Sequence, residues 1–109
     1  MKVNELQKIA NLSPLAMPEP DREISGCYIG DLLSWVMGRA KEGDAWITIM
    51  SNQNVLAVAS LADVACIILA EGVTLEEELL STARDKGINV LSSEEAAFSI
   101  AARLASELL

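Results

Sequence analysis

The side chains of this sequence best suited to binding a small molecule fall in four short polar stretches. These are Gly30-Asp31, Ser51-Asn52-Gln53-Asn54, Glu71-Gly72-Val73-Thr74 and Ser92-Ser93-Glu94-Glu95. Each follows an apolar, strand-like run, at residues 24–29, 45–50, 66–70 and 88–91. Loops that follow parallel strands gather at one edge of a sheet, the edge where ligands bind in open α/β folds. Asp31, Ser51, Asn52, Asn54, Glu71, Gly72, Ser92 and Ser93 are therefore the candidate ligand-binding residues, expected in one cleft or on its rim. Asp31 has the chemistry of a general base, but it also stands where a helix N-cap belongs. Glu71 ends an apolar strand and has no capping role there; it reads as a solvated loop acid or as a site acid. Asn52, Gln53 and Asn54 bring neutral donors and acceptors to a helix start, enough to cradle a nucleotide or anion, or to form an Asx-turn.

What the chain lacks narrows the chemistry. It has no histidine, so no Ser-His or Cys-His nucleophile exists and the commonest general base is missing. No G-x-x-x-x-G-K-[ST] loop is present, nor a G-x-G-x-x-G after the first strand. Cys27 and Cys66 are distant, each within strand-like sequence, and read as two buried free thiols rather than metal ligands. The expectation is a protein that is not an enzyme, with no cofactor and no metal.

The elements that must position these loops follow from composition and pattern. At 109 residues, 51% hydrophobic and 4% aromatic, the chain suits one domain with an aliphatic core. Net charge is −8, with 7 acids against 5 bases in residues 1–50 and 9 against 3 in residues 51–109. Such a surface repels phosphate backbones, and no basic cluster offsets it, so nucleic acid is not an expected partner. The start, Met1-Lys2-Val3-Asn4-Glu5-Leu6, lacks the apolar core of a signal peptide. The uncharged run 45–62 is broken by Ser51-Asn52-Gln53-Asn54, so no membrane span is expected; the chain reads as cytoplasmic.

Along the chain, Asn4 can cap a short helix reaching Ala10, and Ser13-Pro14 and Pro18-Glu19-Pro20 make an extended lead-in. Helices are expected near 32–37, 53–63, 75–86 and 94–108. Thr74 with Glu77, and Ser92 with Glu95, have capping-box spacing, and Gly87 suits a left-handed helix end. The 53–64 helix is apolar nearly all round, through Val55, Leu56, Ala57, Val58, Ala59, Leu61, Ala62 and Val64. A sheet covers only one side of such a helix. Pairing through it would make the protein a homodimer, unless neighbouring helices and the N-terminal segment cover it.

At these loops the sequence resembles the DRTGG domain family. The resemblance runs through Tyr28-Ile29-Gly30-Asp31, Glu42-Gly43-Asp44-Ala45-Trp46-Ile47-Thr48, Ala65-Cys66-Ile67-Ile68-Leu69-Ala70-Glu71-Gly72 and Lys86-Gly87-Ile88-Asn89-Val90-Leu91-Ser92-Ser93. It covers roughly residues 20–109, and the opening helix is similar to the lead-in of stand-alone members. Where the family carries Asp-Arg this chain has Asn52-Gln53, and where it carries Thr-Gly-Gly it has Ala70-Glu71-Gly72. The resemblance implies a regulatory or interaction module, similar to accessory domains of phosphotransacetylases and CBS-domain pyrophosphatases and to the non-catalytic N-terminal domain of HPr serine kinase. Short stand-alone members are similar to proteins encoded beside iron-only hydrogenase and sensor-kinase components.

The expected architecture is a single three-layer α/β domain with a mostly parallel four-stranded sheet flanked by helices. Residues 1–20 form an N-terminal helix and extended lead-in, and residues 21–109 the DRTGG-like domain. The expected function is a non-catalytic regulatory or sensor domain binding a nucleotide-like or other small metabolite at the C-terminal edge of the sheet. The alternative is a protein-interaction module that dimerises and docks onto a redox or signalling complex without a small ligand. Few basic residues (Arg22, Arg39, Lys41) are candidates to meet an anion, and none lies in the four loops, which favours a neutral ligand or a protein.

Overall fold

In the computed structural model, which describes residues 1–9 and 11–109, one sheet organises the chain. Its strands are β1 (Ser13–Ala16), β2 (Gly26–Ile29), β3 (Asp44–Thr48), β4 (Cys66–Leu69) and β5 (Val90–Ser92), in the order β1-β5-β4-β3-β2. The expected strands are all present as β2 to β5. They are parallel neighbours, with Ile29, Ile47, Ile68 and Leu91 level across the sheet. The sheet is nevertheless five-stranded and mixed, not four-stranded. β1 pairs antiparallel with β5, Ser13 opposite Ser92, with an irregularity between Pro14 and Ala16. Proline breaks the strand pattern in sequence, yet an edge tolerates it because the outward side needs no N–H donor.

Side-chain alternation splits the core in two. On one face Trp46, Ile67, Leu69 and Val90 pack under α1 (Leu33–Arg39), α2 (Asn54–Ala62) and α3 (Glu77–Lys86). On the other, Ala45, Ile47, Cys66, Ile68 and Leu91 meet α4 (Ala97–Leu108) and a short 3-10 helix, Val3–Lys8. Ile47, Cys66 and Ile68 are fully buried, as the strand pattern requires. The lead-in belongs to the same core: Val3, Leu6, Leu12 and Ala16 are buried. It is tied in by Val3 N–H donating to Arg22 O at 2.9 Å and Ile24 N–H to Met1 O at 2.8 Å. No helix of the described residues is long and apolar enough to cross a membrane.

Several local expectations change. The opening helix is a 3-10 helix over Val3–Lys8 with Lys2 at its cap, not an Asn4-capped α-helix; its expected end at Ala10 lies outside the described residues. α3 starts after Glu76 and α4 after Ala96, so neither the Thr74–Glu77 nor the Ser92–Glu95 capping box forms. Gly87 does end α3, at φ 74°. Cys27 is exposed rather than buried, because β2 is the edge strand and its outer side is open.

α2 is covered within the chain. Val55, Leu56, Val58 and Ala59 are buried among α1, α3 and the sheet, Ala62 is half-buried, and Leu61 is the large apolar residue of this helix left exposed. The reason that α2 offered for a homodimer is thereby removed.

Candidate functional site

The parallel register brings the four loops to one edge. Because Ile29, Ile47, Ile68 and Leu91 are level, the chain leaves the sheet at the same side through Asp31, Ser51, Glu71 and Ser93. Within that edge the candidate residues divide into two groups with different work.

Ser51, Asn52 and Asn54 border an open cleft between the start of α2 and the start of α3. One part, about 410 Å³, is lined by Ser51, Asn52, Gln53, Glu76, Glu78 and Leu79. The adjoining part, about 320 Å³, adds Asn54, Leu56, Ala57, Thr82 and Lys86 and shares Gln53, Glu78 and Leu79. The loop is an Asx-turn: Asn52 Oδ1 accepts from Asn54 N–H at 2.9 Å, and Asn52 O from Val55 N–H at 3.1 Å. Leu56 N–H donates to Gln53 O. The first amides of α2 are thus already spent, and this helix start is no anion cradle. What remains toward the cleft is a row of amide side chains, the Thr82 hydroxyl, the Glu76 and Glu78 carboxylates and the Lys86 ammonium at the far end. Glu76, Glu78, Thr82 and Lys86 were not singled out as site residues from sequence; the helical spacing of Glu78, Thr82 and Lys86, four residues apart, is the signal that puts them on one face.

Asp31, Glu71, Gly72, Ser92 and Ser93 lie outside the lining of that cleft and brace the edge itself. Asp31 Oδ1 accepts from Thr48 Oγ1 at 2.8 Å and from Ile49 N–H at 3.0 Å. It does not cap α1, whose cap is Leu32 with no side-chain bond. Glu71 and Gly72 are both left-handed, at φ 57° and 78°, and close a tight turn through Val73 N–H to Ala70 O at 3.1 Å. Glu71 N–H donates to Glu95 O at 2.9 Å and Gly72 N–H to Ser93 O at 2.8 Å. Ser93 is buried; its N–H donates to Leu69 O, and its Oγ accepts from Glu95 N–H at 3.0 Å. Ser92 is the last residue of β5, opposite Leu69 and Ser13.

The electrostatics of the edge are acidic. Asp31, Glu71, Glu76, Glu77, Glu78, Glu94 and Glu95 surround it, while Arg84 is engaged by Glu77 at 3.0 Å and Arg103 by Glu95 at 3.2 Å. A bare polyphosphate gains little here and meets several like charges. No group of three or more potential metal-ligating residues occurs among the described residues.

The two cysteines lie elsewhere. Cys66 is fully buried in β4, and burial first, with Cys27 nearby second, pushes its thiol far up. Cys27 lies on the exposed edge, where desolvation, then the Asp44 charge, push its thiol up to about 11. Neither supplies a thiolate near neutral pH.

The DRTGG domain family model matches residues 21–106. Among solved structures the chain is similar to the CBS and DRTGG domains of the regulatory region of Clostridium perfringens pyrophosphatase, described as complexed with its activator, diadenosine tetraphosphate. The TM-score is 0.74 at 15% identity over 94% of this chain and 45% of that one, a likeness of fold. This chain therefore spans less than half of that structure. No curated protein sequence matches it.

Proposed function

Because the chain belongs to the DRTGG domain family, we propose that it is a non-catalytic regulatory domain of the cytoplasm that senses a small nucleotide-like metabolite at the C-terminal edge of its sheet. Ser51, Asn52 and Asn54, with Gln53, contact the ligand; Asp31, Glu71, Gly72, Ser92 and Ser93 hold the loops that shape its site. The observation that carries this reading is the cleft between α2 and α3, lined by three consecutive amide side chains. Amides present paired donors and acceptors without charge, matching a base edge or a ribose better than a phosphate chain. The surrounding carboxylates select a nucleoside, or a nucleotide whose phosphates are neutralised by magnesium, over free polyphosphate.

Thermal-shift measurements with adenosine, guanosine, magnesium-ATP and diadenosine tetraphosphate test the proposal. A ligand present at 100 times its Kd raises stability by about 2.7 kcal/mol, and Asn52→Ala should abolish that shift without lowering the melting temperature of the free protein by more than a few degrees. No shift with any nucleoside or nucleotide at millimolar concentration, or a shift that Asn52→Ala leaves intact, overturns it. A second reading, a protein-interaction module that docks onto a redox or signalling complex such as an iron-only hydrogenase assembly, is favoured by the exposed Leu32 and Trp35 at the start of α1.

A further inference from the structure

The α2–α3 cleft narrows to a waist where its two lobes meet. Gln53 from α2 and Glu78 and Leu79 from α3 line both lobes, the one toward Ser51 and Asn52 and the one toward Thr82 and Lys86. A small molecule held by the amide row therefore lies against these three residues. Leu79, half-buried, supplies an apolar surface between two polar groups of different kind.

The three consecutive acids at the start of α3 have different surroundings. Glu77 is paired with Arg84 at 3.0 Å and does not line the cleft. Glu76 is the N-cap residue and lines one lobe only. Glu78 lines both, and its carboxylate has no hydrogen-bond or ion-pair partner among the described residues. Lys86, the cation lining the cleft, stands eight residues on, about 12 Å along the helix axis, too far for a bridge. The Thr82 hydroxyl donates to the backbone Glu78 O at 3.1 Å, so its proton is spent away from the carboxylate. Glu78 thus brings two acceptor oxygens and no donor to the waist. Across from it the Gln53 side chain, also without a partner among the described residues, brings donors and an acceptor together.

Resting on the sensing role above, we propose that Glu78 is the specificity residue of the cleft: it accepts both hydroxyls of a ribose, so that ribonucleosides are selected against their 2′-deoxy forms. The adjacent 2′- and 3′-hydroxyls are two O–H donors that one carboxylate can accept together. A base edge, which mixes donors and acceptors, suits the Gln53 amide instead, and a phosphate meets Glu78 as a like charge. The division of the waist therefore fixes which part of the ligand lies on which helix: base toward α2, sugar toward α3. Loss of the 2′-hydroxyl leaves one carboxylate oxygen shielded from water and without a donor, which disfavours the deoxy form.

Isothermal titration of the intact chain with adenosine, guanosine and their 2′-deoxy counterparts tests it. The ribonucleoside should bind about tenfold or more tightly than its 2′-deoxy form, the worth of one hydrogen bond to a charged acceptor. Glu78→Ala should weaken the ribonucleoside to the level of the deoxy form and leave the deoxy form nearly unchanged. Glu77→Ala, which removes the same charge one residue away and outside the cleft, should keep the full preference. Both glutamates are exposed, so both variants should melt close to the wild type. Equal affinity of the wild type for ribonucleoside and deoxyribonucleoside overturns the role of Glu78 and leaves the sensing role standing. Absence of binding by all four at millimolar concentration overturns both. A preference that survives Glu78→Ala, or that Glu77→Ala removes equally, also overturns the role of Glu78.

Discussion

Asp31 and Thr48 are joined across the end of the sheet: the Thr48 hydroxyl donates to Asp31 Oδ1 at 2.8 Å, and the same oxygen takes the Ile49 amide at 3.0 Å. Thr48 is buried and Asp31 is exposed, so the bond pins the β2 exit loop to the end of β3. Asp31→Ala should lower stability by about 1–3 kcal/mol by leaving the hydroxyl and amide without their acceptor. Asp31→Asn, which keeps the oxygen, should cost less. In urea denaturation, Asp31→Ala and Thr48→Val should combine to less than the sum of their separate effects, since they break one interaction. Strict additivity contradicts the pairing.

Glu71 occupies a left-handed conformation at φ 57° that costs an L-residue about 1–2 kcal/mol. The tight turn from Ala70 to Val73 imposes this conformation, which glycine adopts at no steric cost. Glu71→Gly should therefore raise the urea midpoint, by about 1 kcal/mol in stability, whereas Glu71→Val should lower it. Loss of stability in the glycine variant would mean that the Glu71 side chain contributes more than its backbone costs.

Asn89 is buried and holds the lead-in to the sheet. Its Nδ2 donates to Glu19 O at 2.8 Å and Ala65 O at 3.0 Å, and its Oδ1 accepts from Glu19 N–H at 2.9 Å. Asn89→Leu strands three backbone groups and should cost at least about 2 kcal/mol. Amide exchange at Glu19 should accelerate in the variant before the strands open. Unchanged exchange there would remove the clamp.

Cys66 ties stability to alkaline pH. Its thiol is raised in the folded state by burial, so folding holds the proton that the unfolded chain releases above its ordinary value near 9. The contribution is complete below about pH 9 and is lost as pH rises beyond it, at up to about 1.4 kcal/mol per pH unit for one proton. Between pH 9 and 11, the wild type should lose stability faster than Cys66→Ala. Parallel slopes would rule the linkage out.

The parallel core was legible in the sequence because β3, β4 and β5 are runs of β-branched and aliphatic residues between turn signals, and that pattern has few other solutions. β1 was not legible: four residues with a proline carry no period, and only Ser92 and Val90, far along the chain, give them a place. Capping boxes at Thr74 and Ser92 had the right spacing but lost to tertiary bonds, since Ser93 and Glu95 are held by the Glu71–Gly72 turn. The loop edge was readable from the β–α rhythm. The division of its residues into a cleft and a brace was not, because it depends on which amides are already spent. α2 looked uncovered because its sequence records only its own apolar surface, not the approach of α1.

The pairing of β1 with β5 also governs the order in which the molecule can be made. During synthesis the first strand emerges with no partner, and Ser13 must wait until Ser92 has left the ribosome. Until then Val3, Leu6 and Leu12 have no α4 to pack on, and β5 forms last among the parallel strands. Contacts of such long sequence separation slow folding. The segment around β1 is therefore the part of the nascent domain most in need of shielding, and a ribosome-stalling change near the codons of β5 would act on residues translated well before it.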